Sequence, residues 1–236
     1  MIVKAALTAV FLAMSLSRIE ASTITFSNNT GGAILDGAPG VPSDILVSDS
    51  RFIAPAGSNI TVTIIGLRHS FAGDLVATLT GPSSISRDLF NRIGKDANSD
   101  FGCSCNFDGN YDFNSSFSGD IWTVASGLGD ADAIPSGSYW TTSAGSNAST
   151  NLSMAYNGLP AGGVWRLTIS DNSPDDPPDD GSFLGWTLSL NVVDTPEPSF
   201  AIPLGLLGLA LALFRRRGVR NWPSGSGGAD RNRTGA

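Results

Sequence analysis

The chain has 236 residues, of which 15% are charged and 8% aromatic, with 28 Gly, 13 Pro, two Cys and a net charge of −7. Its lone histidine, His69, excludes the multi-histidine zinc sites of metalloenzymes, and excludes a Ser-His-Asp triad unless His69 is itself the base. The length suits one large all-β domain or two small ones.

At the N-terminus Lys4 precedes an apolar run, Ala5 to Leu16, and Ile19-Glu20-Ala21 puts a small residue at an exit before Ser22. This order reads as a secretory signal peptide, residues 1–21, cleaved after Ala21; the plainer alternative is a membrane-anchored or buried helix. From Ser22 to Thr195 there are eighteen Asp and no Glu against five Arg and one Lys, a net charge of −12. A surface that acidic excludes nucleic-acid binding through phosphate neutralisation. Aspartate favours turns because its short side chain bonds nearby backbone, and turn chemistry explains most of the eighteen.

Next in the chain, Thr23 to Phe26 and Ile45 to Val47 are candidate edge strands within an N-terminal extension, residues 22–59. Period-two alternation follows in Ile60 to Ile65, Leu75 to Leu79, Leu152 to Tyr156, Val164 to Ile169 and Trp186 to Val192, each bounded by Gly, Pro, Asn or Asp. That pattern predicts an all-β fold, an antiparallel β-sandwich over residues 60–193 with one buried face per strand. Between Lys95 and Tyr139 the periodicity fails, and a long irregular segment is expected. Phe117 and Trp122 are expected to anchor it, with Phe101, Phe107, Tyr111 and Phe113 unassigned. Cys103-Ser104-Cys105 lacks the partners of a zinc site; in an exported protein the pair either closes a small disulfide ring or stays reduced.

Six separated elements keep one order: His69, Phe71, Gly73-Asp74-Leu75, Gly81-Pro82-Ser83, Gly163-Val164-Trp165-Arg166-Leu167 running to Asp171, and Trp186-Thr187-Leu188. Together they resemble the P/Homo B domain, the jelly-roll-like sandwich beside the catalytic domain of subtilisin-like proprotein convertases. The resemblance implies the fold and an interaction role, with calcium in edge loops of some members. Asp74 and Asp171 match its acidic positions. Asp175, Asp176, Asp179 and Asp180 follow, so five carboxylates fall within ten residues and repel unless a cation or solvent separates them. A calcium site drawing on Asp74, Asp171, Asp175 and Asp180 and a solvated acidic loop both fit that count. The spacing is not that of an EF-hand. His69, with no nucleophile elbow in the sequence, reads as structural.

At the C-terminal end Pro196-Glu197-Pro198 precedes an apolar run at 200–214 and then Arg215-Arg216-Arg217. A short greasy helix with a cationic stop reads as a transmembrane segment whose arginines stay cytoplasmic. The three elements in order resemble the PEP-CTERM sorting signal, which an exosortase recognises and cleaves near its Pro-Glu-Pro motif. A Gly/Ser-rich tail, 218–236, is expected to be disordered.

The expectation is an exported, non-enzymatic cell-envelope or extracellular-matrix protein, held transiently or permanently at the inner membrane. Its partners would be signal peptidase, exosortase, and extracellular polysaccharide or surface proteins. The alternative is an accessory module of a secreted subtilisin-like protease acting in trans; a hydrolase built on the Asp-rich loops is weaker still.

Overall fold

A computed structural model describes residues 20–37, 39–55, 59–173 and 181–194, all within one compact unit. The expected signal segment before residue 20, Asp175 and Asp180, the Pro196-Glu197-Pro198 motif, the helix at 200–214, Arg215 to Arg217 and the tail lie outside the described residues. Among the described residues no helix is long and apolar enough to cross a membrane.

The fold is all-β. A nine-stranded sheet contains β1 (Ser22–Asn28), β2 (Gly32–Ile34), β4 (Phe52–Ile53), β5 (Ile60–His69), β8 (Asn106–Phe113), β9 (Ala133–Ile134), β10 (Gly137–Tyr139), β14 (Gly181–Phe183) and β15 (Gly185–Val193). A four-stranded sheet runs in the order β3 (Val41–Val47), β13 (Gly163–Asp171), β6 (Leu75–Thr80) and β7 (Ser86–Asn91). A small hairpin joins β11 (Thr142–Ser143) to β12 (Ser146–Ser149). Pairing is antiparallel except where β9 and β10 run parallel to β8. The strands of the expected N-terminal extension belong to the same sheets: β1 pairs with β15 and β3 with β13.

Alternation explains the core. In β5, β6, β13 and β15 every second side chain is buried, and those faces meet between the sheets. Trp165 from one sheet and Trp186 from the other are both enclosed. Each indole N–H finds an acceptor, Trp165 Nε1 to Ala161 O at 2.8 Å and Trp186 Nε1 to Ser43 Oγ at 3.0 Å across the sandwich. Phe90 of β7 meets Phe107 and Phe113 of β8 with ring centroids 5.1 and 5.3 Å apart. Such pairs add about 0.5–1.5 kcal/mol each beyond burial.

Two expectations are corrected. The segment expected to be irregular contains β8, which pairs with β5 and sends Phe107, Tyr111 and Phe113 into the core. The alternation is present, but its second inward position is Gly109, where a Cβ would strike Ser136 Oγ, and its outward residues are Asn and Asp. Both features depress strand propensity. Phe107, Tyr111, Phe113 and the partly buried Trp122 are therefore the anchors, whereas Phe101 is 67% exposed.

Leu152–Tyr156, expected as a strand, is a short helix. Two helices occur among the described residues, α1 (Ile121–Ala125) and α2 (Leu152–Tyr156). Asn151 caps α2, its side chain accepting from Met154 N, and buries Leu152 and Tyr156 one helical turn apart while Met154 stays 73% exposed. Over five residues, apolar positions at 152, 154 and 156 do not separate a strand from a helix.

Candidate functional site

Of the residues that carry the P/Homo B resemblance, His69, Phe71, Gly73, Asp74 and Asp171 converge at one end of the sandwich, whereas Gly81-Pro82-Ser83 and Gly163 meet at the opposite ends of β6 and β13. His69 ends β5, the Phe71-to-Asp74 turn leads into β6, Asp171 ends β13, and Gly181 opens β14. His69 Nε2 lies 3.0 Å from Asp171 Oδ2, and both side chains are nearly sealed from solvent, at 0% and 2% exposure. The other ring nitrogen, Nδ1, sits 2.9 Å from Phe71 O and 3.0 Å from Phe71 N. In the neutral ring with its proton on Nε2, that proton is donated to Asp171 and Nδ1 accepts from the Phe71 amide. Both nitrogens are thus committed inside the protein.

Asp74 stands beside this pair and bonds Arg92, whose Nη2 lies 3.1 Å from Asp74 Oδ1 and whose Nε donates to Gly73 O at 3.0 Å. Burial raises the Asp74 carboxyl above its ordinary range, and the neighbouring Asp171 charge raises it further, while Arg92 opposes both. Arg92 adopts a left-handed φ of 45°, a conformation that carries roughly 1–3 kcal/mol of strain in a non-glycine residue. Nothing in the sequence singles it out, because an isolated Arg between strands has no pattern.

Backbone bonds fasten the surrounding turns to this core. Asn172 N donates to Asp74 O at 3.0 Å and Ser173 N to Asp171 Oδ1 at 3.0 Å. Ala72 N donates to Cys105 O at 2.7 Å and Gly73 N to Cys103 O at 2.9 Å, so the Cys103–Cys105 segment, closed as a disulfide ring, lies over the turn. Glycines are required where the packing is this close. A Cβ on Gly181 would come within 2.5 Å of His69 Cδ2 and 2.6 Å of Arg68 O. One on Gly73 would come within 2.8 Å of Cys103 N.

Asp74 and Asp171 are both engaged within the fold. Both Asp171 oxygens are bonded, to His69 and to Ser173 N, and a guanidinium faces Asp74. Among the described residues no group of three or more His, Cys, Asp or Glu stands close enough to hold a metal. A shallow depression lined by Arg68, His69, Ser70, Asn106, Phe107 and Asp108 adjoins the site, and the exposed Arg68 and Asp108 bridge across it at 2.9 Å. The arrangement joins the two sheets through the His69–Asp171 bond.

No protein-family model and no curated protein matches the chain. Among solved structures, the complex of the Aeromonas sobria serine protease and the chaperone is 14% identical over 79% of this chain and 29% of that one, with a TM-score of 0.44. The serine protease of Aeromonas sobria is also 14% identical, over 78% and 29%, with a TM-score of 0.42. An infectious bursal disease virus structure, Gx strain, is 16% identical over 78% and 34%, with a TM-score of 0.33. This chain therefore spans 29–34% of the length of the structures it is similar to.

Proposed function

We propose that the protein is an exported, non-enzymatic component of the cell envelope. It is a P/Homo B-like jelly-roll sandwich sorted by an exosortase and engaged with extracellular polysaccharide or surface proteins. The observation that carries the non-enzymatic part is the enclosure of His69, whose two nitrogens are spent on Asp171 and on the Phe71 backbone. A general base must reach the proton it abstracts, and this imidazole reaches only its own fold. Export rests on the two terminal sequence patterns around this domain.

Intact-mass analysis of the protein from membrane and medium fractions tests the reading. The expected species begins at Ser22 and ends near Pro196 to Pro198. An uncut chain confined to the cytoplasm would refute export. The alternative, an accessory module for a secreted subtilisin-like protease, rests on the same converged motif residues and predicts recovery of such an enzyme when the tagged domain is pulled from culture supernatant.

A further inference from the structure

Strand β1 is an open edge of the nine-stranded sheet, and its exposed backbone can be identified residue by residue. On β15, Asn191 spends its backbone on the far side, N–H to Asn59 O and C=O from Ala54 N, both at 2.8 Å. Backbone groups alternate sides along a strand, so Trp186, Leu188, Leu190 and Val192 face β1. Their register partners Asn28, Phe26, Ile24 and Ser22 take that ladder. Thr23, Thr25 and Ser27 therefore turn their N–H and C=O groups away from the sheet, and those groups meet no partner among the described residues.

Long open edges are normally blunted by charge, proline, bulges or brevity. The other edges here follow that rule. β3 contains Pro42 and Asp44. β7 contains Arg87 and Asp88, has an irregular register against β6, and lies against β11. β2 and β10 have three residues each. β1 reads Ser-Thr-Ile-Thr-Phe-Ser-Asn over seven residues, with no charge, no proline and an unbroken register. Its inward side chains, Ile24 and Phe26, pack on the core but are only partly buried, as they would be if the sheet stopped one strand early.

We infer that β1 pairs with β1 of a second copy of this chain, antiparallel about a two-fold axis at Thr25. This strand is complementary to itself in that register. Thr25 faces the partner's Thr25, and Thr23 faces the partner's Ser27 and the reverse, each pair exchanging both backbone bonds. Ile24 of each copy then lies beside the partner's Phe26 on the inner face, which completes the cover of both. On the outer face the hydroxyl contacts that already run from β1 to β15, Thr25 to Ser189 and Ser27 to Thr187, continue into the partner. No like charges confront each other along the strand, although the exported region as a whole is strongly acidic.

Sedimentation velocity on the full chain tests this, with two variants. Thr25→Pro removes an outward N–H and leaves the β15 ladder intact, a substitution that edge strands tolerate. The wild type is expected to be a dimer, and Thr25→Pro a monomer with unchanged thermal unfolding. If Thr25→Pro unfolds early, Thr25→Lys replaces it, since like charges directly opposite one another oppose the pairing. Thr25→Cys is expected to cross-link two copies on a non-reducing gel, because paired Cα atoms about 5.5 Å apart suit a disulfide. Ser189→Cys, one strand inward, should not. A monomeric wild type at high micromolar concentration, a dimer that survives Thr25→Pro and Thr25→Lys, or a Thr25→Cys protein that fails to cross-link overturns the inference.

Discussion

His69 and Asp171 are 102 residues apart in sequence and 3.0 Å apart in space, one at the end of β5 and the other at the end of β13. Their bond joins the two sheets at the only histidine the chain contains. Removing one member of a buried hydrogen-bonded pair leaves the other unsatisfied, with a typical loss of about 1–3 kcal/mol. Asp171→Ala should therefore lower the free energy of unfolding by about that amount. Asp171→Asn, which keeps the shape and one acceptor, should lose less. Urea titrations of the three proteins check this; equal stability of Asp171→Ala and wild type would show that the bond does not hold the sheets.

The close approach of turn and disulfide ring makes Gly73→Ala a second sensitive position. The added methyl meets the backbone at Phe101 and Cys103, and backbone cannot swing aside as a flexible side chain can. Overpacking of this kind typically removes about 1–3 kcal/mol. Gly127→Ala, whose nearest contact is Val124 O at 3.6 Å, should change stability far less. The two melting curves, recorded side by side, separate local crowding from a general intolerance of alanine.

Much of this was legible in the sequence and some was not, for separable reasons. The strands around Ile60, Leu75, Val164 and Trp186 announce themselves because apolar and polar or β-branched residues alternate over five or more positions. β8 does not, because Gly109 vacates an inward position and Asn106, Asp108, Asn110 and Asp112 fill the outward ones. Helix α2 is hidden by its length and by Asn151, whose left-handed φ of 46° no pattern foretells. At the site His69, Asp74 and Asp171 were visible as motif members, but their pairing is a tertiary fact. The family resemblance marked Asp74 and Asp171 as candidate ligands, but not their partners within the fold, Arg92 for the one and His69 for the other.

Asp120 ties α1 down and makes part of the stability depend on pH. Its Oδ1 accepts from Trp122 N at 3.0 Å, while Oδ2 accepts from Thr123 Oγ1 at 2.6 Å and from Asn147 Nδ2 at 3.1 Å. Burial, the largest single influence, pushes its carboxyl up, but these bonds together hold it below the ordinary value of 3.8. A carboxylate with a depressed folded-state pKa stabilises fully above its unfolded value and loses that contribution as pH falls through the folded one. Asp120→Ala should thus cost about 1 kcal/mol at neutral pH, as other N-cap losses do. The gap from wild type should narrow below pH 3.8 in denaturant titrations taken down the acid range. A gap of constant size would mean that the charge plays no part.

Tyr111 governs the opposite limb. Its hydroxyl donates to Ile134 O at 2.8 Å and accepts from Asp108 N at 3.1 Å, within the core beside Phe107. Burial pushes its phenol from 10.0 up to about 12. The folded chain therefore holds that proton across an interval in which the unfolded chain releases it. Stability contributed by the neutral phenol is complete below pH 10 and drains away as pH rises toward the folded value. The slope approaches about 1.4 kcal/mol per pH unit for one such group. Tyr111→Phe loses two hydrogen bonds and is less stable at neutral pH, yet its alkaline decline should be shallower because that titration is gone. Tyr156, raised in the same direction by burial, keeps the residual slope from reaching zero. Denaturant titrations of both proteins between neutral and strongly alkaline pH check the difference, and parallel curves would show that Tyr111 ionises no differently when folded.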